Sequence, residues 1–312
     1  MTTLLDMIDE VSMNLSGYTL QQDRATHLRA DVPATASTIA APINLSLAST
    51  DSGGKGIVEI DEELFWVDNY DRIGNTATIA PYGRAYLGTT LAAHTAGTKV
   101  TISPTFPRFV IKRAINDTIN AIGSSIFAAN KTTITSNIAT SAFRLPATGD
   151  SLNIRSILAV AYESIGPSKE WIPVRNYRFD GNANLSAFSS EQTISIYDMI
   201  TSGRTIHIVY STDPVPFGSS VASNSQVFTT QTGLPESCKD LVVLGATYRL
   251  LSNLDPARAS MVSPQADEVD SKRPYGSSQS LTRQVYALFT QRLNEEIKNQ
   301  QDKYPIRVHY SL

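Results

Sequence analysis

The sequence predicts an α+β fold: a helical bundle formed from sequence-distant helices, with two antiparallel β modules inserted, a small β unit and a larger β-sandwich or barrel. Three observations carry that prediction. Apolar residues recur at helical spacing near both ends and once in between. The spacing drops to two in the intervening stretches, and each amphipathic helix exposes a stripe that an isolated helix cannot bury. Packing the helices together is the economical way to cover those stripes.

The first helix follows from Leu4, Ile8, Val11 and Leu15, which fall on one face. Thr3 with Asp6 supplies a capping-box start and Gly17 a stop. From Gln21 to Thr50 the residues turn to Ala, Ser, Thr and Pro, which reads as a connection or weak edge strand. A compact meander then runs from Gly56 to Ile102. Ile57–Ile60 and Leu64–Val67 flank Asp61-Glu62-Glu63, and Gly74-Asn75 turns into Thr76–Ile79. The stretch Pro81 to Lys99 forms a long loop before Val100–Ile102.

Pro107 opens a second helix whose stripe is Ile111, Ile115, Ile119, Ile122 and Ile126. Between Thr132 and Thr229 the period is two, in Ile157–Tyr162, Trp171–Val174, Thr193–Tyr197 and Thr205–Tyr210, with Gly and Pro turns between. Helix returns over Leu241–Leu251 and Leu281–Ile297. A polar loop from Asp255 to Ser278 separates them, and Pro305 stops the last. The expected organisation is a bundle of residues 1–20, 105–131 and 233–304, a small β domain at 40–104, a sandwich-like domain at 132–232 and an extended tail at 305–312.

Composition bounds function. The 312 residues are 41% hydrophobic and 18% charged, as in ordinary globular chains, and a net charge of -3 gives no global field to hold a phosphate backbone. One cysteine, Cys238, rules out an internal disulfide, fits a reducing cytosol, and with four histidines leaves no four-ligand zinc pattern. Neither an export signal nor an apolar run of about 18 residues is present. The chain holds no G-x-S-x-G, H-E-x-x-H or P-loop spacing. Asp61, Glu62 and Glu63 are adjacent carboxylates, but turn acids are usually solvated, and a catalytic role needs a cleft. Trp66 and Trp171 lie in apolar strand runs, where core packing is favoured over sugar stacking. The reading is of a chain with no catalytic, cofactor or metal residues.

The segment Tyr82-Gly-Arg-Ala-Tyr-Leu-Gly-Thr-Thr90, then Ala93-His94-x-x-Gly97-x-x-Val100, then a helix bearing Ala114-Ile-Asn-Asp117, resembles a recurring segment of tailed-bacteriophage virion proteins. Ala85 stands where those proteins carry glycine. Leu244–Leu251, Arg292-Leu-Asn-Glu-Glu-Ile297 and Lys303-Tyr-Pro305 are similar to the terminal helices of phage head-to-tail adaptor, neck or connector, proteins. The resemblance spans about half of the chain and leaves 132–229 unmatched. It implies a dodecameric ring of identical copies under the portal, docking a tail or nozzle protein and passing double-stranded DNA unread. It also implies a virion location at the head-tail interface after folding in the bacterial cytoplasm, with no membrane partner and no cofactor.

The expected contact residues fall in three places. In the loop they are Tyr82, Arg84, Tyr86 and His94. On the final helix Arg283, Arg292, Glu295 and Glu296 carry both signs of charge, which suits lateral packing between copies as well as a solvated face. In the tail Tyr304, Ile306, Arg307, Val308 and Tyr310 offer a strand-like pattern for another subunit's sheet edge, a frayed terminus being the rival. A competing reading is a receptor- or glycan-binding tail protein that uses the 132–232 domain.

Overall fold

A computed structural model describes residues 1–17, 23–34, 43–49, 55–137, 140–145, 153–165, 170–183, 192–252 and 277–305. The chain divides into two compact units. One comprises 1–118, 217–227 and 239–290, the other 119–216, 228–238 and 291–312.

The first unit opens with helix α1, Leu4–Ser16. Thr3 Oγ1 accepts from the Asp6 backbone N–H, and the Asp6 carboxylate accepts from the Thr3 N–H at 2.8 Å, so the capping box is complete. Leu4, Met7, Ile8, Val11 and Leu15 form its buried face. A six-stranded antiparallel sheet follows, from β1 (Arg24–His27), β2 (Ile43–Ser46), β3 (Gly56–Ile60), β4 (Glu63–Asp71), β5 (Thr76–Ile79) and β6 (Lys99–Ile102). Its order is β1-β6-β3-β4-β5-β2. The expected meander is its centre, and the stretch read as connection or weak edge supplies the two outer strands. Those edges meet at a single bridge, Leu28 to Leu47, over a core that includes Val58, Ile60, Phe65, Val67, Ile79 and Val100.

Helix α2, Arg108–Ile122, starts after Pro107 as expected. Helix α3 is the short Phe228–Thr232, α4 is Lys239–Leu251 and α5 is Ser277–Lys303. The second unit holds a four-stranded antiparallel sheet of β7 (Ala128–Thr135), β9 (Ile154–Glu163), β10 (Trp171–Pro173) and β13 (Thr205–Thr212), in the order β10-β9-β13-β7. Three further strands, β8 (Ala142–Arg144), β11 (Tyr177–Asp180) and β12 (Thr193–Ile196), form a second sheet in the order β11-β12-β8. Val160, Ile206, Ile208 and Tyr210 of the first sheet share one core with Ile194 and Ile196 of the second.

Among the described residues the helices do not form the expected bundle. Across those same residues the fold is α+β with a large β content, in three antiparallel sheets and no closed barrel. The reason lies in what covers each helical stripe. α1 packs on α4, and its entry is tied to the 217–227 segment, with Leu4 N–H donating to Gln226 O at 3.0 Å. α2 is held by that same segment: the Asn116 side chain donates to Phe217 O and accepts from Phe217 N–H, both at 3.0 Å. In the second unit α5 turns toward 125–127, where the Gln300 amide exchanges hydrogen bonds with the Phe127 backbone. Loop segments thus hold part of the helix surface assigned to helix partners. The expected polar loop from Asp255 to Ser278 lies outside the described residues up to 276, and Ser277 and Ser278 already belong to α5.

Candidate functional site: a braced loop

Asp61 and Glu62 form the two-residue turn between β3 and β4, and Asp61 adopts a left-handed backbone with φ 55°. That turn aims Glu63, the first residue of β4, inward. Its side chain is 0% exposed and accepts five hydrogen bonds. Oε1 receives the Arg84 Nε–H at 3.0 Å and the Ala85 N–H at 3.1 Å. Oε2 receives Arg84 Nη2 at 2.9 Å, Ala92 N–H at 3.0 Å and His94 Nε2 at 3.0 Å. The other His94 nitrogen, Nδ1, lies 2.7 Å from Asp61 Oδ2. Arg84 also donates to Pro33 O at 2.5 Å and Ala92 O at 2.6 Å, and its guanidinium stands 5.1 Å from the centre of the Phe65 ring.

Burial alone would raise the Glu63 carboxyl, but the bonds from His94, Arg84 and the Ala92 amide outweigh it and hold the group below its ordinary range. Burial likewise pulls His94 down, and its bonds to Asp61 and Glu63 reverse the sign, so its value rises above that of free imidazole. The cluster is therefore a carboxylate between a guanidinium and an imidazolium, with the imidazolium paired to a second carboxylate. All its members in the interior are spoken for, and a carboxylate with five donors has no oxygen left to take a proton from a substrate.

What this network holds is the loop from Ala80 to His94. Tyr82, Ala85 and Leu87 all have positive φ, at 58°, 49° and 55°, which costs a non-glycine residue about 1 kcal/mol or more. Gly83 is required: a Cβ there would meet Ala80 O and Trp66 O, each at 2.8 Å. Trp66 N–H donates to Gly83 O and Ala80 N–H to Trp66 O, which stitches the loop to β4. Outside the brace the loop displays Tyr82, 72% exposed, and Leu87, 64% exposed, beside Tyr86, whose ring lies 5.4 Å from Trp66.

Two more buried acids flank the site. Glu62 pairs with Lys112 Nζ at 3.0 Å, and Lys112 also donates to Ser220 O and the Asn224 side chain. Glu59 accepts the Arg108 backbone N–H at the start of α2, and burial pushes its carboxyl up to about 7. The expectation of solvated turn acids thus fails for Glu62 and Glu63. Their cations come from distant segments that the turn itself does not announce.

Of the expected contact residues, Tyr82 and Tyr86 sit on the displayed side of the loop. Arg84 and His94, each 2% exposed, are turned inward and brace the loop. Arg283 and Glu295 are exposed on α5, and Arg292 is half-buried, bonded to Glu295 and to Ser237 O. Glu296 is 3% exposed, its carboxylate accepting from Ser237 Oγ at 3.0 Å and lying 3.7 Å from Cys238 Sγ. Burial, with the Glu296 charge next to it, pushes that thiol up to about 12. Tyr304 is half-buried against the Phe127 ring at 5.9 Å. Ile306, Arg307, Val308 and Tyr310 lie outside the described residues.

Both tryptophans depart from the expected core positions. Trp66 is 37% exposed, and Trp171 is 51% exposed with its ring 5.5 Å from that of His207. Among the described residues no group of three His, Cys, Asp or Glu side chains is placed to hold a metal ion, and no helix is long and apolar enough to cross a membrane. No protein-family model matches the chain, and no curated protein is significantly similar to it.

Proposed function

We propose that this chain is a structural protein of a tailed-bacteriophage particle, an adaptor subunit that assembles as a ring with copies of itself between portal and tail. The observation that carries the reading is the braced loop. Backbone strain at Tyr82, Ala85 and Leu87 is maintained by the buried charges of Glu63, Arg84 and His94, and its outward product is a pair of large side chains in water. Rigid presentation of an aromatic and an aliphatic anchor serves recognition of a protein partner, because little ordering entropy is lost on docking. The resemblance to adaptor proteins read from the loop, from Ala114–Asp117 and from the last helices supports a partner class of portal on one side and tail or nozzle protein on the other.

In this reading the mechanism is geometric and needs no cofactor. Tyr82, Tyr86 and Leu87 meet one partner, and the exposed charges of α5, Arg283 and Glu295 with the half-buried Arg292, meet neighbouring copies. Double-stranded DNA passes through without readout, as the net charge of -3 provides no strong hold on phosphate. The test is light scattering of the purified chain alone and mixed with a purified tailed-phage portal ring. A multi-copy complex is expected, weakened about tenfold or more by Tyr82→Ser with Leu87→Ser, the loss that follows removal of interface anchors. Equal masses in both mixtures overturn the proposal.

A second reading rests on Trp171. Its half-exposed ring, backed by His207, is an aromatic platform of the kind that stacks on sugars, so the second unit would bind a glycan. Glycan-array binding lost in Trp171→Ala with an unchanged melting temperature would favour it over the adaptor.

A further inference from the structure

Three segments of the first unit close on His94. Its ring lies between two carboxylates, with Nδ1 2.7 Å from Asp61 Oδ2 in the β3–β4 turn and Nε2 3.0 Å from Glu63 Oε2 on β4. Its backbone exchanges two hydrogen bonds with Val32, at 2.7 and 2.9 Å. The other groups about the ring are Phe65, with its ring centre at 5.7 Å, and Arg84, joined to it through Glu63. Asp31, the acid beside Val32, is engaged elsewhere, accepting from the Ala96 N–H at 2.7 Å.

An ionised carboxylate only accepts hydrogen bonds, and a neutral imidazole carries a single N–H. Both contacts are therefore made only while the ring holds both protons. When it loses one, a lone pair faces a carboxylate oxygen and that contact breaks. Burial decides which one. The Glu63 side chain is 0% exposed, and its Oε2 also holds the Arg84 guanidinium and the Ala92 N–H, so it cannot turn to water. The Asp61 side chain sits at a turn and is 46% exposed. The remaining proton stays on Nε2 toward Glu63, and Asp61 swings into water.

The limb that ends at His94 carries part of the display. Ala92 shares Glu63 Oε2 with the His94 ring. Thr89 accepts the Leu64 N–H and donates its hydroxyl to Tyr86 O, next to Leu87. Slack at His94 thus passes along 86–94 to side chains that face water.

We propose that the Asp61–His94 contact is a proton-operated latch on the displayed loop, closed while the ring carries both protons and open on the Asp61 side once it carries one. As pH rises the 86–94 limb loosens, and the fixed geometry of Tyr86 and Leu87 is lost. As a property of the loop the latch stands alone; as a control on docking it rests on the adaptor reading.

Amide exchange of the full chain tests the latch, expressed as protection factors to remove the intrinsic pH dependence. It is measured below and above the pH at which the ring nitrogen NMR shifts show His94 titrating. Protection at Ala92 is expected to fall about tenfold or more across that step, with Val58 of β3 and Val100 of β6 unchanged as the sign of an intact sheet. Two variants separate the latch from packing. Asp61→Asn is expected to keep the limb protected on both sides of the step, because a carboxamide accepts from the ring N–H or donates to the ring lone pair. Asp61→Gly, which suits the left-handed backbone but has no side chain, is expected to leave it loose on both sides. Wild-type protection that ignores the titration overturns the latch, as does an Asn variant that behaves like the Gly variant. Light scattering with a purified tailed-phage portal ring then reads docking, which is expected to weaken across the same step in the wild type and not in Asp61→Asn. Equal wild-type docking at both pH values overturns the control of docking. Absence of docking by any form overturns the adaptor reading and that control with it, while the exchange data still decide the latch.

Discussion

At the scale of single residues, Glu63 decides the loop. Removing one member of a buried ion network leaves the other charge uncompensated, which costs about 3–5 kcal/mol. Glu63→Gln is therefore expected to lower unfolding stability by about that amount in urea titration, because Arg84 and His94 lose their common anion. Tyr82→Ala, on the displayed side of the same loop, is expected to change stability by less than about 0.5 kcal/mol. Equal losses in the two variants would show that the loop is held by surface packing instead. Cys238 gives a second residue-level test. With its thiol pushed up to about 12 by burial and by Glu296, it is expected to resist alkylation in the native chain and to react once the chain is unfolded. Rapid native labelling at neutral pH would contradict the burial.

Among elements, the approach of α4 to its neighbours is set by the absence of a side chain at Gly245. A Cβ there would lie 2.3 Å from Thr118 Cγ2 and 3.0 Å from Phe289 Cε2, side chains of α2 and α5. Gly245→Ala improves intrinsic helix propensity, yet it is expected to destabilise by about 1–3 kcal/mol through overpacking. Thermal melting of the variant checks the sign; a rise in melting temperature would mean that Thr118 moves aside freely. The helices themselves were legible from spacing: the buried positions Leu4, Ile8, Val11 and Leu15 of α1, and Ile111 and Ile115 of α2, are those on the expected stripes. Their partners were not, since a stripe states that a face is buried without stating what buries it.

For the whole molecule, three buried groups shape stability against pH. Glu63 has a depressed folded value, so its contribution is complete above the ordinary 4.5 and is lost as pH falls through the lower folded value. His94 has a raised folded value, so its contribution is complete below 6.5 and is lost as pH rises through the higher folded value. Glu59, raised to about 7, favours its proton in the folded state, so stability falls as pH rises from 4.5 to about 7. The sum places the maximum at mildly acidic pH. Melting temperatures measured across pH are expected to peak below neutrality, and Glu59→Gln is expected to flatten the decline between 4.5 and about 7. A peak above neutrality would reject the assignment of these three groups.

The amino-acid sequence determined the local structure of this protein. Apolar spacing placed α1, α2, α4 and α5, and most of the strands of both β regions, because periodicity is a property of neighbours along the chain. It also marked the Tyr82–His94 loop as unusual through its length and its glycines. Tertiary structure alone decided that the helices do not form a bundle and that Arg84 and His94 face inward. Glu63 meets Arg84 across 21 residues and His94 across 31, and Glu296 meets Ser237 across 59. Whether a charge ends in water or against an opposite charge in the interior depends on which distant segments the fold closes together, and no local pattern encodes that closure.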